Sequence, residues 1–172
     1  MSDKLPELID PLLFAERRTV LSGQIKIADF ERLSAAVVNN DGVVQVGVVF
    51  AKEGKRAVVS GTIKAALELE CQSCLQALPW PLEIAFRLAV VSSLHDADGL
   101  EIDCEPFLFD GEKISLSELI EDEILLALPD YPKHEEDCIR QRSSKDGDYD
   151  SASPTQANNP FSVLAKLKKT GE

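Results

Sequence analysis

Four residues have types and spacings that could hold a metal ion. Cys71 and Cys74 are separated by two residues in ECQSCLQ, and His134 and Cys138 by three in PKHEEDC. Two thiolates so close along a turn can face one tetrahedral ion, and three cysteines with one histidine form a zinc set. Two other readings of the C-x-x-C stay open. It could be a redox dithiol, or a pair of half-buried thiols beside a solvated histidine. A redox site of the thioredoxin kind places its cysteines at a helix N-terminus, where the thiolate is favoured. Here the pair leads into LQALPWP, with no capped helix. Cys104 has no motif around it and reads as a buried thiol.

The second concentration of chemistry is acidic. Ten acidic residues and one basic residue, Lys113, fall between Glu101 and Asp130. Such a stretch repels a phosphate backbone and attracts basic partners, or it is a solvated face that keeps the chain soluble. Glu118, Glu121, Asp122 and Glu123 are its centre and the candidate partner-binding residues. Consecutive acids on a helix point to different sides, so they make no paired-carboxylate site. No P-loop, dinucleotide fingerprint, zincin or nucleophile-elbow motif occurs. His95 lies in a polar loop, and a solvated histidine is the simplest reading. The chain is therefore expected to have no catalytic residues and not to be an enzyme. Basic residues cluster at the far end, where Phe161, Leu164 and Leu167 recur every three residues and Lys166, Lys168 and Lys169 join them. That segment is a second candidate contact, able to give a weak, salt-sensitive attraction to RNA. Trp80, between Pro79 and Pro81, is either a binding aromatic or a residue packed over the edge of a core.

These residues need elements to position them. Partial alternation predicts a strand over 19–27, and Asp29 could cap a helix over 29–38. A β-branched run over 43–50, a turn at Glu53-Gly54, and alternating apolar residues over 57–70 and 82–91 predict an antiparallel meander. Pro79 and Pro81 would break the chain between the last two strands. A short strand is expected near 106–110. Ser115 and Glu118 form a capping box for a helix over 116–128, with Leu116, Leu119, Ile120 and Ile124 on its apolar face, Glu121, Asp122 and Glu123 mostly off it, and Pro129 as its stop. The fold class is thus α+β: an antiparallel sheet, open or closing toward a barrel, with packed helices. Residues 1–142 are expected to form one domain. Residues 143–159 contain no Leu, Ile, Val or Phe and read as a flexible linker before the basic segment 160–172.

The whole chain bounds the function. Its 172 residues are 44% hydrophobic, enough for a core, and carry a net charge of -12. The start, MSDKLPELIDPLLF, has no secretory pattern, and no apolar run reaches membrane-spanning length. A cytoplasmic protein is expected, with reduced thiols and no membrane contact.

Three stretches in this order resemble one family. They are LELECQSCLQALPWPLE, SELIEDEILLALPDYPKHEEDC and NPFSVLAKLKK, carried by Cys71, Cys74, Glu121, Asp122, Glu123, Leu128, Pro129, Pro132, Cys138, Asn159, Pro160 and Phe161. Together they resemble the YceD family, the large ribosomal RNA subunit accumulation proteins. The resemblance runs over most of the chain and is least in the linker. It implies a non-enzymatic role in the synthesis, processing or stability of 23S rRNA, and hence in ribosome biogenesis. Implied partners are a small basic large-subunit ribosomal protein or a pre-50S particle, with 23S rRNA contacted directly or indirectly. Some branches of the family carry more cysteines after the acidic helix. This sequence has only His134 and Cys138 there, so the resemblance leaves zinc open.

Overall fold

The computed structural model describes residues 5–97, 99–100, 103–135 and 138. Its elements lie in one compact unit, residues 1–136, while Cys138 belongs to a second, residues 137–172. In order they are β1 (Leu8–Ile9), α1 (Pro11–Glu16), β2 (Val20–Lys26), α2 (Glu31–Ala36), β3 (Val43–Glu53), β4 (Arg56–Glu70), β5 (Ala77–Val91), β6 (Glu105–Leu108), β7 (Ile114–Ser115) and α3 (Leu116–Ala127). Short 3-10 turns sit at Ile27–Asp29 and Leu94–Ala97.

β2, β3, β4 and β5 form the expected antiparallel meander, and β6 adds to β5 in parallel. β1 and β7 form a separate two-stranded ladder. Among the described residues the five-stranded sheet ends on β2 and β6. It is an open α+β sheet, and it does not close into a barrel. Glu53 pairs with Arg56, so the β3–β4 hairpin has a two-residue loop. Gly54 takes φ 60 there, the sign a type II′ turn asks of its first central residue.

One face of the sheet is the core. β3 alternates strictly, with Val44, Val46, Val48 and Phe50 buried. Ile63 and Leu67 of β4 join them, as do Leu82, Phe86 and Leu88 of β5. α3 brings Leu116, Leu119, Ile120 and Ile124. α1 packs Phe14 edge-on to Phe50, with ring centroids 5.3 Å apart. Trp80 is half-buried and packs against this same core.

Three local expectations are corrected. β5 runs straight through Pro79, Trp80 and Pro81. Glu68, the partner of Pro79, gives its carbonyl to the Val38 N–H at 2.7 Å. Its carbonyl therefore faces away from β5, and the pair is one that exchanges no ladder bonds, so no donor is needed from the proline. Pro81, two residues on, faces the same way. The helix expected over 29–38 does not start on Asp29 either. Ile27–Asp29 is a 3-10 turn, α2 starts at Glu31, and its N-cap Phe30 offers no side-chain bond. Third, Glu121 lies on the buried side of α3 and not with the solvated acids. At about 100° per residue it lies about 60° beyond Ile124 around the helix, at the border of the apolar face.

Candidate metal centre and the acidic helix

β4 delivers Cys71 at its end, and the loop from Cys71 to Gln76 returns the chain to β5. The loop is tight. The Leu75 N–H donates to the Cys71 carbonyl at 2.8 Å, and the Cys71 N–H donates to the Gln76 carbonyl at 2.9 Å. Closing it puts Leu75 at φ 58, in the left-handed region where a branched side chain is strained. The chain leaving α3 is tied on here, because the Gln72 N–H donates to the Pro132 carbonyl at 2.9 Å. That bond brings His134 to the loop, with its Nδ1 3.5 Å from the Cys74 Sγ.

Within the first unit, one donor atom each from Cys71, Cys74 and His134 lie within 4.8 Å of one another. A tetrahedral zinc at ordinary bond lengths holds a sulfur and a nitrogen ligand about 3.6 Å apart. The Cys74–His134 separation meets that test.

The electrostatics favour thiolate. Burial pushes the Cys71 thiol up, but the backbone N–H groups of Cys74, His134 and Ser73 aim at its sulfur and, with the Cys74 side chain, bring it down to about 5 from its ordinary 9.0. Donors that stabilise the anion prepare a sulfur for a cation. A disulfide-exchange site of the thioredoxin kind would instead rest on a helix N-terminus, and this loop joins two strands. Of the four candidate ligands, Cys71, Cys74 and His134 come together in the first unit, and Cys138 belongs to the second.

The acidic helix separates the four acids by role. Ser115 caps α3, its hydroxyl accepting from the Glu118 N–H at 3.3 Å. Glu118 and Asp122 are exposed, and Glu123 is half-buried. Burial, then the charges of Glu105 and Asp122, push the Glu123 carboxyl up. Glu121 is only 4% exposed. Its Oε1 accepts from the N–H groups of Arg32 at 2.7 Å and Leu33 at 2.9 Å, and its Oε2 meets the Arg32 guanidinium. It is the N-terminal cap that α2 lacks locally. Burial would raise its carboxyl, but the Leu33 N–H, the Arg32 side chain and the Arg32 N–H hold it below the ordinary value. Asp122 takes the other side of the same guanidinium at 2.6 Å. Arg32 was not singled out by sequence; its buried partner Glu121 is 89 residues away. Phe161, Lys166, Lys168 and Lys169 lie outside the described residues.

The profile of the family described as large ribosomal RNA subunit accumulation protein YceD matches residues 59–168, a span that contains all four candidate ligands and α3. The chain belongs to the YceD family. A curated member from Haemophilus influenzae, the large ribosomal RNA subunit accumulation protein YceD, is 35% identical over 170 residues, covering 96% of this chain and 97% of its own. No solved structure gives a significant match. Among the described residues no helix is long and apolar enough to cross a membrane.

Proposed function

We propose that this YceD-family chain is a non-catalytic, cytoplasmic ribosome biogenesis factor that supports the synthesis, processing or stability of 23S rRNA. It engages a basic large-subunit ribosomal protein, free or in a pre-50S particle, through the exposed acidic side of α3. One observation carries the contact: Glu118 and Asp122 point to solvent and Glu123 is half-exposed within a stretch of net charge -9, ten acids against Lys113. Such a surface steers a cationic protein and repels bare RNA. Glu121 contributes indirectly, by holding α2 against the helix that displays the others. Membership of the large ribosomal RNA subunit accumulation family, with its Haemophilus influenzae relative, supports the assignment to large-subunit rRNA.

Zinc is the metal the Cys71, Cys74, His134 and Cys138 set fits, as a closed structural site with no open position for a substrate. Bound there, it supplies a cross-link between the β4–β5 loop and the chain that leaves α3. The residues themselves hold that geometry through the Gln72–Pro132 bond and the N–H groups around Cys71.

The contact is tested by capture of purified large-subunit proteins on the immobilised chain. Glu118→Lys with Glu123→Lys should abolish capture of the basic proteins at unchanged melting temperature. Unchanged capture would sink the acidic-helix reading. Binding lost instead on removing residues 160–172 would move the contact to Phe161, Lys166, Lys168 and Lys169, and toward direct rRNA binding.

A further inference from the structure

The cations of this acidic chain are not spread evenly. Arg32, Lys64 and Arg87 are tied to carboxylates. Arg17, Arg18, Lys52 and Lys55 are exposed, and among the described residues none of the four makes an ion pair or a side-chain hydrogen bond.

The fold gathers these four at one end of the sheet. Arg17 and Arg18 follow α1 and lead into β2. The Thr19 carbonyl accepts from the Phe50 N–H at 2.9 Å, so Arg18 stands one residue, and Lys52 two residues, from a shared hydrogen bond. Lys55 is the second residue of the β3–β4 loop, between Glu53 and Arg56. From that loop β4 runs 15 residues to Cys71 and the candidate metal loop, roughly 45 Å away. The carboxylates at this end are engaged or set apart, save Glu16. Glu53 meets the Arg87 guanidinium at 2.5 Å, and the Asp96 carboxylate accepts from the Ser92 and Ser93 hydroxyls. Asp110 and Glu112 follow β6, three strands across from β3, roughly 14 Å away.

Arg18 carries a second mark. α1 ends in a Schellman turn, in which the Thr19 N–H donates to the Phe14 carbonyl at 3.0 Å and the Arg18 N–H to the Ala15 carbonyl at 3.2 Å. That turn sets its closing residue left-handed, and Arg18 has φ 50. Glycine takes this conformation freely, whereas a side chain is strained in it. Packing does not account for the arginine, because it is exposed and has no partner among the described residues. A strained arginine standing where glycine fits better implies that its side chain is used.

We infer that this end of the sheet binds the phosphate backbone of RNA. Free guanidinium and ammonium groups suit a phosphate chain, and a guanidinium can hold one phosphate with two N–H groups. The nearby aromatics, Phe14 and Phe50, pack on each other, so bases find no stacking platform and the contact is indifferent to sequence. The inference rests on the large-subunit rRNA role proposed above and gives it a place on the chain. A net charge of -12 keeps the contact weak.

The test is fluorescence anisotropy of a labelled uridine 12-mer with the full chain, in a salt series. Four phosphate contacts predict a slope of log K against log salt of about −3. Arg18→Gly should weaken binding about threefold or more and take about 0.7 off the slope. Its melting temperature should not fall, since glycine relieves the turn. Lys52→Gln with Lys55→Gln should weaken binding about tenfold and take about 1.4 off the slope. Lys26→Gln, at the other end of β2, should leave binding unchanged. No RNA binding by the wild-type chain, or unchanged binding in both Arg18→Gly and the double lysine variant, overturns the inference. Loss only on removing residues 160–172 overturns it as well. So does equal, Arg18-dependent binding to phosphatidylglycerol vesicles, which would make the occupant a membrane surface. The parent reading fails separately, if cells without the protein keep normal 23S rRNA. The site alone fails if 23S rRNA is lost in those cells while the binding results go against it.

Discussion

At the scale of single residues, Glu121 joins two helices that sequence spacing does not connect. Its carboxylate satisfies two N–H groups at the start of α2 and pairs with Arg32 from an almost buried position. Glu121→Ala would leave the two N–H donors without their acceptor and the guanidinium with Asp122 alone, at a cost of about 2–4 kcal/mol and a clearly lower melting temperature. The pH dependence has a definite sign. The folded carboxyl is more acidic than its ordinary 4.5, so unfolding takes up a proton. The stabilisation is complete above 4.5 and fades as pH falls through the lower folded value. The gap in stability between wild type and Glu121→Gln should therefore be widest near neutral pH and shrink in acid; a gap that grows in acid would refute the assignment. Leu75 offers a second measurement. It holds φ 58 with a 59% exposed side chain, so Leu75→Gly relieves strain and loses little burial. The variant should melt no lower than wild type, and up to about 1 kcal/mol of added stability is expected. The C-x-x-C and H-x3-C pairs were legible because each lies within five residues of chain. Glu121 as a cap was not, because a helix cap is normally sought at the residue just before the helix.

Among the elements, the meander was readable because β3 and β4 alternate and the Glu53-Gly54 turn leaves one short loop. The passage of β5 through its prolines was hidden. It depends on which pairs exchange ladder bonds, and that is set by register with β4. α3 was readable from Ser115, its apolar spacing and Pro129, and its cap bond is present. The proposed metal centre belongs to this scale, since a bound zinc would fasten the β4–β5 loop to the chain after α3. Chelation, Cys71→Ser or Cys138→Ser should speed amide exchange at Gln72 and Leu75 and release about one zinc per chain. The far end of the β4–β5 ladder, from Ala57 to Val59, should stay protected. Protection at Gln72 that ignores chelator would mean the four donors cluster without metal.

Across the whole molecule, the α+β class and the open sheet follow from strands with one apolar face and helices with one apolar stripe. The face of the sheet away from the described helices was the least legible part. Ser22, Gln45, Thr62 and Lys64 look like ordinary solvated strand residues until register aligns them. Sequence also could not separate the acids of α3 by role, because inward and outward positions differ there by one residue.

The Glu121 cap also sets an order in time. α2 includes Arg32, and the carboxylate it needs is made 89 residues after that arginine. At about 5–20 residues per second, a growing chain would wait on the order of 10 s between the two. During that interval the meander can zip from neighbour to neighbour while the α2 segment has no partner for its first donors. A fragment ending at residue 115 should therefore show protected amides in β3 and β4 and none in α2, whereas adding α3 should restore them. The nascent chain would leave the ribosome with its sheet formed first and its helical layer locked last.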